Sequence, residues 1–252
     1  MEIKNLLGWK TKRKIIVFES DDWGSFRFKN KSTRNKYIQN YDSRLWMHNN
    51  DTFESFEDLN ALSSLLNSFK DKKNRSVCFT FLMNPANPDF KKIEADSFKS
   101  FYFEPFLKTL EKRKDGKQIF HWYKNALKEN LIEIGFHGRE HLNVSQWMTD
   151  LRNGNDIAIR SFNDRVWGLS KAYEPEVKSN YRATFEMTSK LDLDDLRTNI
   201  EDGVRLLNDS FKQKTTYFLP PNGIYDLNLN QTLADNGIEY IGLPKLNNNP
   251  LE

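Results

Sequence analysis

Short runs of strand-forming residues alternate with longer segments of helical spacing along the whole chain, and that alternation constrains its fold most. Strands are predicted over residues 14–20 (KIIVFES), 76–83 (SVCFTFLM), 131–136 (LIEIGF), 181–188, 215–219 (TTYFL) and 238–243. A helix is predicted over 56–70, capped by Ser55, with Phe56, Leu59, Leu62, Leu65, Leu66 and Phe69 on one face. Further helices are predicted over 118–130 and 192–212, the latter opening on Asp192 or Asp194 with Lys212 near its end. Two more span 144–169, parted at Asn153-Gly154-Asn155, and one covers 227–236 before Asn236-Gly237. Residues 25–50 read as a long loop or insertion, and 89–117 as loop plus one short helix. Asn84-Pro85 and Asn87-Pro88 break the chain after the second strand. Such alternation predicts an α/β fold with mainly parallel strands, either an open sheet or a barrel. In both, a site forms from polar residues at the C-terminal ends of the strands.

Composition narrows the chemistry at those ends. One cysteine, Cys78, excludes a disulfide framework and a cysteine-rich zinc site. A transition metal would have to take carboxylates and some of the four histidines: His48, His121, His137 and His141. The net charge of +3, with only short basic clusters, gives no prompt for nucleic-acid binding. No apolar run is long enough to span a membrane, and the first residues lack a secretory signal, so the chain reads as cytoplasmic. Residues 1–250 read as a single domain, and Leu251-Glu252 as a cloning scar, with the natural chain expected to continue past it.

Three strand ends stand out. The first is Glu19-Ser20-Asp21-Asp22-Trp23-Gly24. Adjacent carboxylates past a buried strand repel unless a cation or a shared proton relieves them; a solvated turn is the alternative. The second is Gly135-Phe136-His137-Gly138-Arg139-Glu140-His141, whose histidines four apart approach one point if the segment turns helically. They read as metal ligands, or as two surface histidines at a helix start. The third is Phe218-Leu219-Pro220-Pro221-Asn222-Gly223. Its prolines stiffen a loop whose N–H groups at Asn222 and Gly223 could stabilise an oxyanion, or they simply end a strand.

Taken in this order, the three segments resemble the polysaccharide deacetylase family (the NodB homology domain, carbohydrate esterase family 4) over residues 14–243, with extra material at 25–50, 84–120 and 142–190. The resemblance implies a distorted (β/α) barrel of about seven mainly parallel strands with insertions. It implies a metal-dependent hydrolase that removes N-acetyl groups from an amino-sugar-containing glycan. Asp21 would be the general base, and Asp22, His137 and His141 would hold zinc, with cobalt, nickel or manganese as alternatives. The main-chain N–H of Asn222 would stabilise the oxyanion. Trp23, Arg139, Glu140 and Pro221 would contact substrate, and Trp46, Trp147 or Trp167 could stack on sugar rings in place of a core role.

The departures are specific. The family's Ser/Thr after the first histidine is Gly138, its Arg is Leu219 and its Tyr is Asn222. Its general acid, a late histidine, has no counterpart, because no histidine follows His141; His48 is a remote substitute. Two alternatives follow: an amide hydrolase for a small non-sugar substrate, and a catalytically silent carbohydrate-binding module that retains the metal site.

Overall fold

The computed structural model describes residues 11–37, 52–169, 177, 180–187 and 189–243. Strand β1 (Glu19–Trp23) is followed by helix α1 (Lys31–Tyr37) and helix α2 (Phe56–Ser68). Strands β2 (Phe79–Met83) and β3 (Ala86–Pro88), helix α3 (Phe90–Ala95), strand β4 (Phe103–Pro105) and helices α4 (Phe106–Glu111) and α5 (Gly116–Lys128) come next. Strand β5 (Ile132–Phe136) leads to helices α6 (Val144–Arg152), α7 (Asp156–Asn163) and α8 (Asp192–Phe211). Strand β6 (Tyr217–Phe218), two short 3-10 turns, helix α9 (Asn230–Asp235) and strand β7 (Tyr240–Ile241) complete the described order.

Five strands form one parallel sheet in the order β1-β2-β5-β6-β7, and β3 pairs antiparallel with β4 beside it. Among the described residues the sheet is open, with β1 and β7 as its edges. The α/β expectation therefore holds, while closure into a barrel of seven strands is not seen in these residues. No helix among them is long and apolar enough to cross a membrane.

Local chemistry explains the helices. Ser55 caps α2 by accepting from the Asp58 N–H at 3.1 Å, and Asp58 accepts the Ser55 N–H in return at 3.0 Å. The two helices expected after His141 part where predicted: Asn155 accepts from the N–H groups of both Ile157 and Ala158, restarting the chain as α7. Helix α8 opens differently from the expectation. Its first cap position is Leu191, and Asp192 instead accepts the Ser189 N–H and the Ser145 hydroxyl.

Three other expectations are corrected. Residues 14–18 do not form a buried strand: Ile15, Ile16, Val17 and Phe18 are exposed. Pairing begins where the Phe18 carbonyl accepts the Thr80 N–H at 2.9 Å; β2 starts at Phe79, so it offers no partner further upstream. Residues 181–187 are turns, because their amides bond locally: Ala183 to Asn180, Thr184 to Arg182, Glu186 to Ala183. Burial of Tyr181, Ala183 and Phe185 produced the strand-like pattern without a strand. The stretch 25–50, read as a loop, contains α1, and 89–117, read as loop plus one short helix, contains two, α3 and α4, together with β4, which pairs with β3 at the expected chain break; burial against the core outweighs weak periodicity in these short elements.

The main core lies between the sheet and α5 and α8. Phe81 is fully buried at its centre, with Trp23 stacked on it at 3.7 Å and Trp122 and Tyr123 at about 6 Å. A second cluster gathers Phe90, Trp147, Phe162 and Trp167 beneath α6 and α7. Helix α8 reaches β5 closely because of Gly203: a β-carbon there would lie 2.4 Å from Phe136 Cε2 and 3.1 Å from Arg139 Cα. Gly203→Ala is therefore expected to destabilise the protein by about 1–3 kcal/mol through overpacking, despite a helix-propensity gain of up to about 1 kcal/mol. Urea unfolding measures it; an unchanged midpoint would show that α8 can shift without cost.

Candidate metal centre

The sheet register lines up the strand ends. Trp23 pairs with Met83, Met83 with Phe136, and Phe136 with Phe218. One residue further the ladder continues: Asn84 N–H donates to Trp23 O at 2.8 Å, His137 N–H to Met83 O at 3.0 Å and Leu219 N–H to Phe136 O at 3.0 Å. The three segments singled out in the sequence thus meet on one rim.

Asp22 sits in an irregularity of β1, between the paired residues Ser20 and Trp23, with φ 67. An aspartate tolerates this left-handed conformation better than most residues. The twist sends its carboxylate toward the histidines. Asp22 Oδ1 lies 3.4 Å from His141 Nε2 and 3.7 Å from His137 Nε2, and one ligand atom from each of the three residues falls within a 4.8 Å cluster. Asp22 Oδ2 pairs with the guanidinium of Arg27, a buried residue that the sequence reading missed. The cation that relieves the Asp21-Asp22 repulsion is thus in part the protein's own. Burial pushes the Asp22 carboxyl up, but the positive charge around it, that of Arg27 and Arg182 included, holds it well below the usual carboxylate range.

The histidines do not converge through a helical turn. The segment bends at Gly138, whose φ of 82 suits glycine and would strain the family's Ser or Thr. A β-carbon on Gly138 would also meet Glu140 O at 3.2 Å and Pro221 Cγ at 3.5 Å, so the third segment packs against the second. The bend leaves the two imidazole rings 5.2 Å apart. His137 Nδ1 lies 2.7 Å from the Leu219 carbonyl; a proton donated there leaves Nε2 bare toward Asp22. Asn84 braces the bend: its amide donates to the His137 carbonyl and, at 3.1 Å, to that of Gly138. His141 is buried, and burial brings its pKa down to about 3 although Asp22 opposes the shift, so it is neutral at pH 7.

Asp22 Oδ1, His137 Nε2 and His141 Nδ1 are buried with no hydrogen-bond partner. Buried polar atoms without partners are costly, about 1–3 kcal/mol each; Asp22 Oδ1 and His137 Nε2 are two such atoms 3.7 Å apart, while His141 turns Nε2 to Asp22 and has its other nitrogen, Nδ1, unpartnered. A carboxylate and two imidazoles form a donor set that suits a divalent cation.

The other expected site residues divide. Asp21 stands beside the cluster, with a largely exposed side chain whose Oδ2 is 3.9 Å from His137 Nε2. Asn222 lies in the turn Pro221–Gly223 with φ 58 and an exposed side chain. The Gly223 N–H is engaged by Pro220 O at 2.9 Å, which removes it as an oxyanion donor. Trp23 is turned into the core against Phe81, so that face of its ring is closed to a sugar. Trp147 and Trp167 are fully buried core residues. Trp46 and His48 lie outside the described residues, and His121 is on the exposed side of α5, 3.0 Å from Asn125.

Arg139 and Glu140, expected as substrate contacts, sit in a buried hydrogen-bonded network. Arg139 grips Glu140 with two bonds, of 2.6 and 3.0 Å, reaches Asp202 at 3.2 Å and lies over the Phe103 ring. Asn199 donates to Glu140 at 2.8 Å and accepts the Arg139 N–H at 3.0 Å. Burial opposes the charge on Arg139, yet Glu140 and Asp202 hold its pKa above the ordinary guanidinium value. Glu140→Ala would leave Arg139 partly uncompensated and is expected to cost about 3–5 kcal/mol, read by urea unfolding. A variant of wild-type stability with a raised KM would instead restore the substrate-contact role.

IcaB from Ammonifex degensii is similar with a TM-score of 0.35 and 12% identity, over 68% of this chain and 57% of that one. BA3943 from Bacillus anthracis, described as a CE4 family pseudoenzyme, gives 0.33 and 12%, over 91% and 43%. A mutant of a CE4 pseudoenzyme BA3943 with restored enzymatic activity gives 0.34 and 13%, over 92% and 45%. The chain spans about half the length of these solved structures, and at such TM-scores none carries an argument about it. No curated protein matches. The family described as Glycosyl hydrolase family 57 matches residues 18–248. That is not the family the three segments resemble, though it too is a family of carbohydrate-active hydrolases. With the match running over most of its length, the chain belongs to glycosyl hydrolase family 57.

Proposed function

We propose that this hydrolase-family chain is a metal-dependent deacetylase that removes N-acetyl groups from an amino-sugar-containing glycan. The observation that carries the reading is the convergence of one ligand atom each from Asp22, His137 and His141 within 4.8 Å, with Asp22 Oδ1 and His137 Nε2 buried and unpartnered and Asp21 beside them. Asp22, His137 and His141 would hold the ion, zinc first and cobalt, nickel or manganese as alternatives. When bound, such an ion supplies Lewis acidity, lowering the pKa of water and polarising an acyl oxygen. The Leu219 carbonyl accepts from Nδ1 of His137, which orients the ring with Nε2 toward Asp22. Asp21, exposed at the rim, takes a proton from the attacking water, and the Asn222 N–H donates to the developing oxyanion. Asp21 would return that proton to the leaving nitrogen, giving acetate and a free amine.

A second reading has support from the family match: cleavage of a glycosidic bond by two carboxylates. In that reading two facing acids are required. Glu140 is engaged by Arg139 and Asn199, and one oxygen of Asp22 by Arg27, which favours the metal reading.

Products separate the two. Zinc-loaded protein is expected to carry about one metal per chain and to release acetate from N-acetylated oligosaccharides, with loss of activity on chelation. Asp22→Ala or His137→Ala abolishes the metal. Asp21→Ala keeps the metal but loses activity by about 10²–10⁴-fold. New reducing ends without acetate, insensitive to chelator, would move the assignment to a glycosidase. Metal binding with glycan affinity but no product would make the domain a binding module.

A further inference from the structure

We infer that Arg27 is the positioning residue of this site: it takes Oδ2 of Asp22 and thereby presents Oδ1 alone to the two histidines. The inference rests on the metal reading above and adds a residue from outside the three segments that suggested it.

The geometry is specific. Arg27 follows Asp22 by five residues and is 5% exposed, and its Nη2 pairs with Oδ2. The other oxygen is the one left buried without a partner, facing His137 and His141. The stem of Arg27 runs over Gly168, alongside that of Arg182. A β-carbon at Gly168 would lie 3.9 Å from Arg27 Cγ and Cδ and 3.4 Å from Arg182 Cγ, and its φ of +68 keeps the position suited to glycine. In the third segment, Leu219 offers its carbonyl to His137. Support of the two sides of the cluster is thus divided: Leu219 orients an imidazole, and Arg27 orients the carboxylate.

Two consequences follow. An occupied Oδ2 limits Asp22 to one-oxygen ligation, which with two imidazoles leaves coordination positions open for water and substrate. A freed Oδ2 would let the carboxylate chelate through both oxygens, as carboxylates do when nothing holds them. That would raise the coordination number and close one of those positions.

The test is metal affinity and coordination, measured on the whole chain without substrate. Zinc affinity is read by chelator competition, and the visible spectrum is recorded with cobalt in place of zinc. Loss of an outer partner typically weakens metal binding by about 10–100-fold, and that is expected for Arg27→Ala, together with weaker cobalt bands. Added guanidinium at concentrations far below denaturing is expected to restore part of the affinity, whereas urea at the same concentration is not. Arg27→Lys, which keeps the charge but not the fork, is expected to fall between Arg27→Ala and wild type. It serves as the deciding variant if Arg27→Ala does not fold. Affinity within twofold of wild type, with an unchanged cobalt spectrum, in either variant would overturn the positioning role while leaving the metal reading intact. Failure of the wild-type chain to bind zinc or cobalt would overturn both.

Discussion

The site depends on a level parallel register. Trp23, Met83, Phe136 and Phe218 pair across four adjacent strands, and the next residue of each later strand donates back to the strand before it. That ladder sets the height of everything above it: Asp22 one residue below the rim, Asn84 and His137 on it, and Leu219 close enough to accept from the imidazole. A shift of one residue in any strand would turn its side chains to the other face and disperse the cluster. Hydrophobic packing holds the register. Phe81, Phe136 and Phe218 all point into the main core, and α8 approaches near enough through Gly203 to press on Phe136 directly below His137.

Above the rim, polar groups fall into two kinds. Arg139, Glu140, Asn199 and Asp202 satisfy one another, so the segment between the histidines is anchored to α8 by charge-assisted bonds. The facing atoms of Asp22 and His137, and Nδ1 of His141, are left unsatisfied in the same region. Satisfied groups make the bend rigid, and the rigid bend holds the unsatisfied ones together against the relaxation that would otherwise relieve them. Such strain is tolerated where a ligand removes it. The positive φ of Asp22 belongs to the same economy, since the irregularity in β1 is what turns the carboxylate inward.

Much of this was legible beforehand. The strand–helix alternation anticipated α2, α5, the α6–α7 break and α8 because those segments are long and regularly spaced. Asp21, Asp22, His137 and His141 drew attention because they come soon after the runs that read as strands, 14–20 and 131–136; in the structure Asp21 and Asp22 lie within β1 itself. Arg139 and Glu140 were singled out for their place between the histidines, which says nothing of direction; the bend at Gly138 turns them toward α8. Arg27 and Asn84 were missed. One lies in a stretch that read as loop, and the other looked like a strand breaker before Pro85. The two differ in kind: Asn84 is a strand-end residue that the same rule covers, whereas Arg27 carries no local signal at all.

The sequence by itself determined the α/β class, the three polar strand ends and the scarcity of nitrogen ligands, since these follow from local spacing and composition. Only the tertiary structure decided which oxygen of Asp22 faces the histidines, which nitrogen of His137 is left bare, and that residues 181–187 turn where they might have paired. Each of those outcomes depends on a partner distant in sequence or on burial. Pairing over such separations is set by packing and register, which no local pattern encodes.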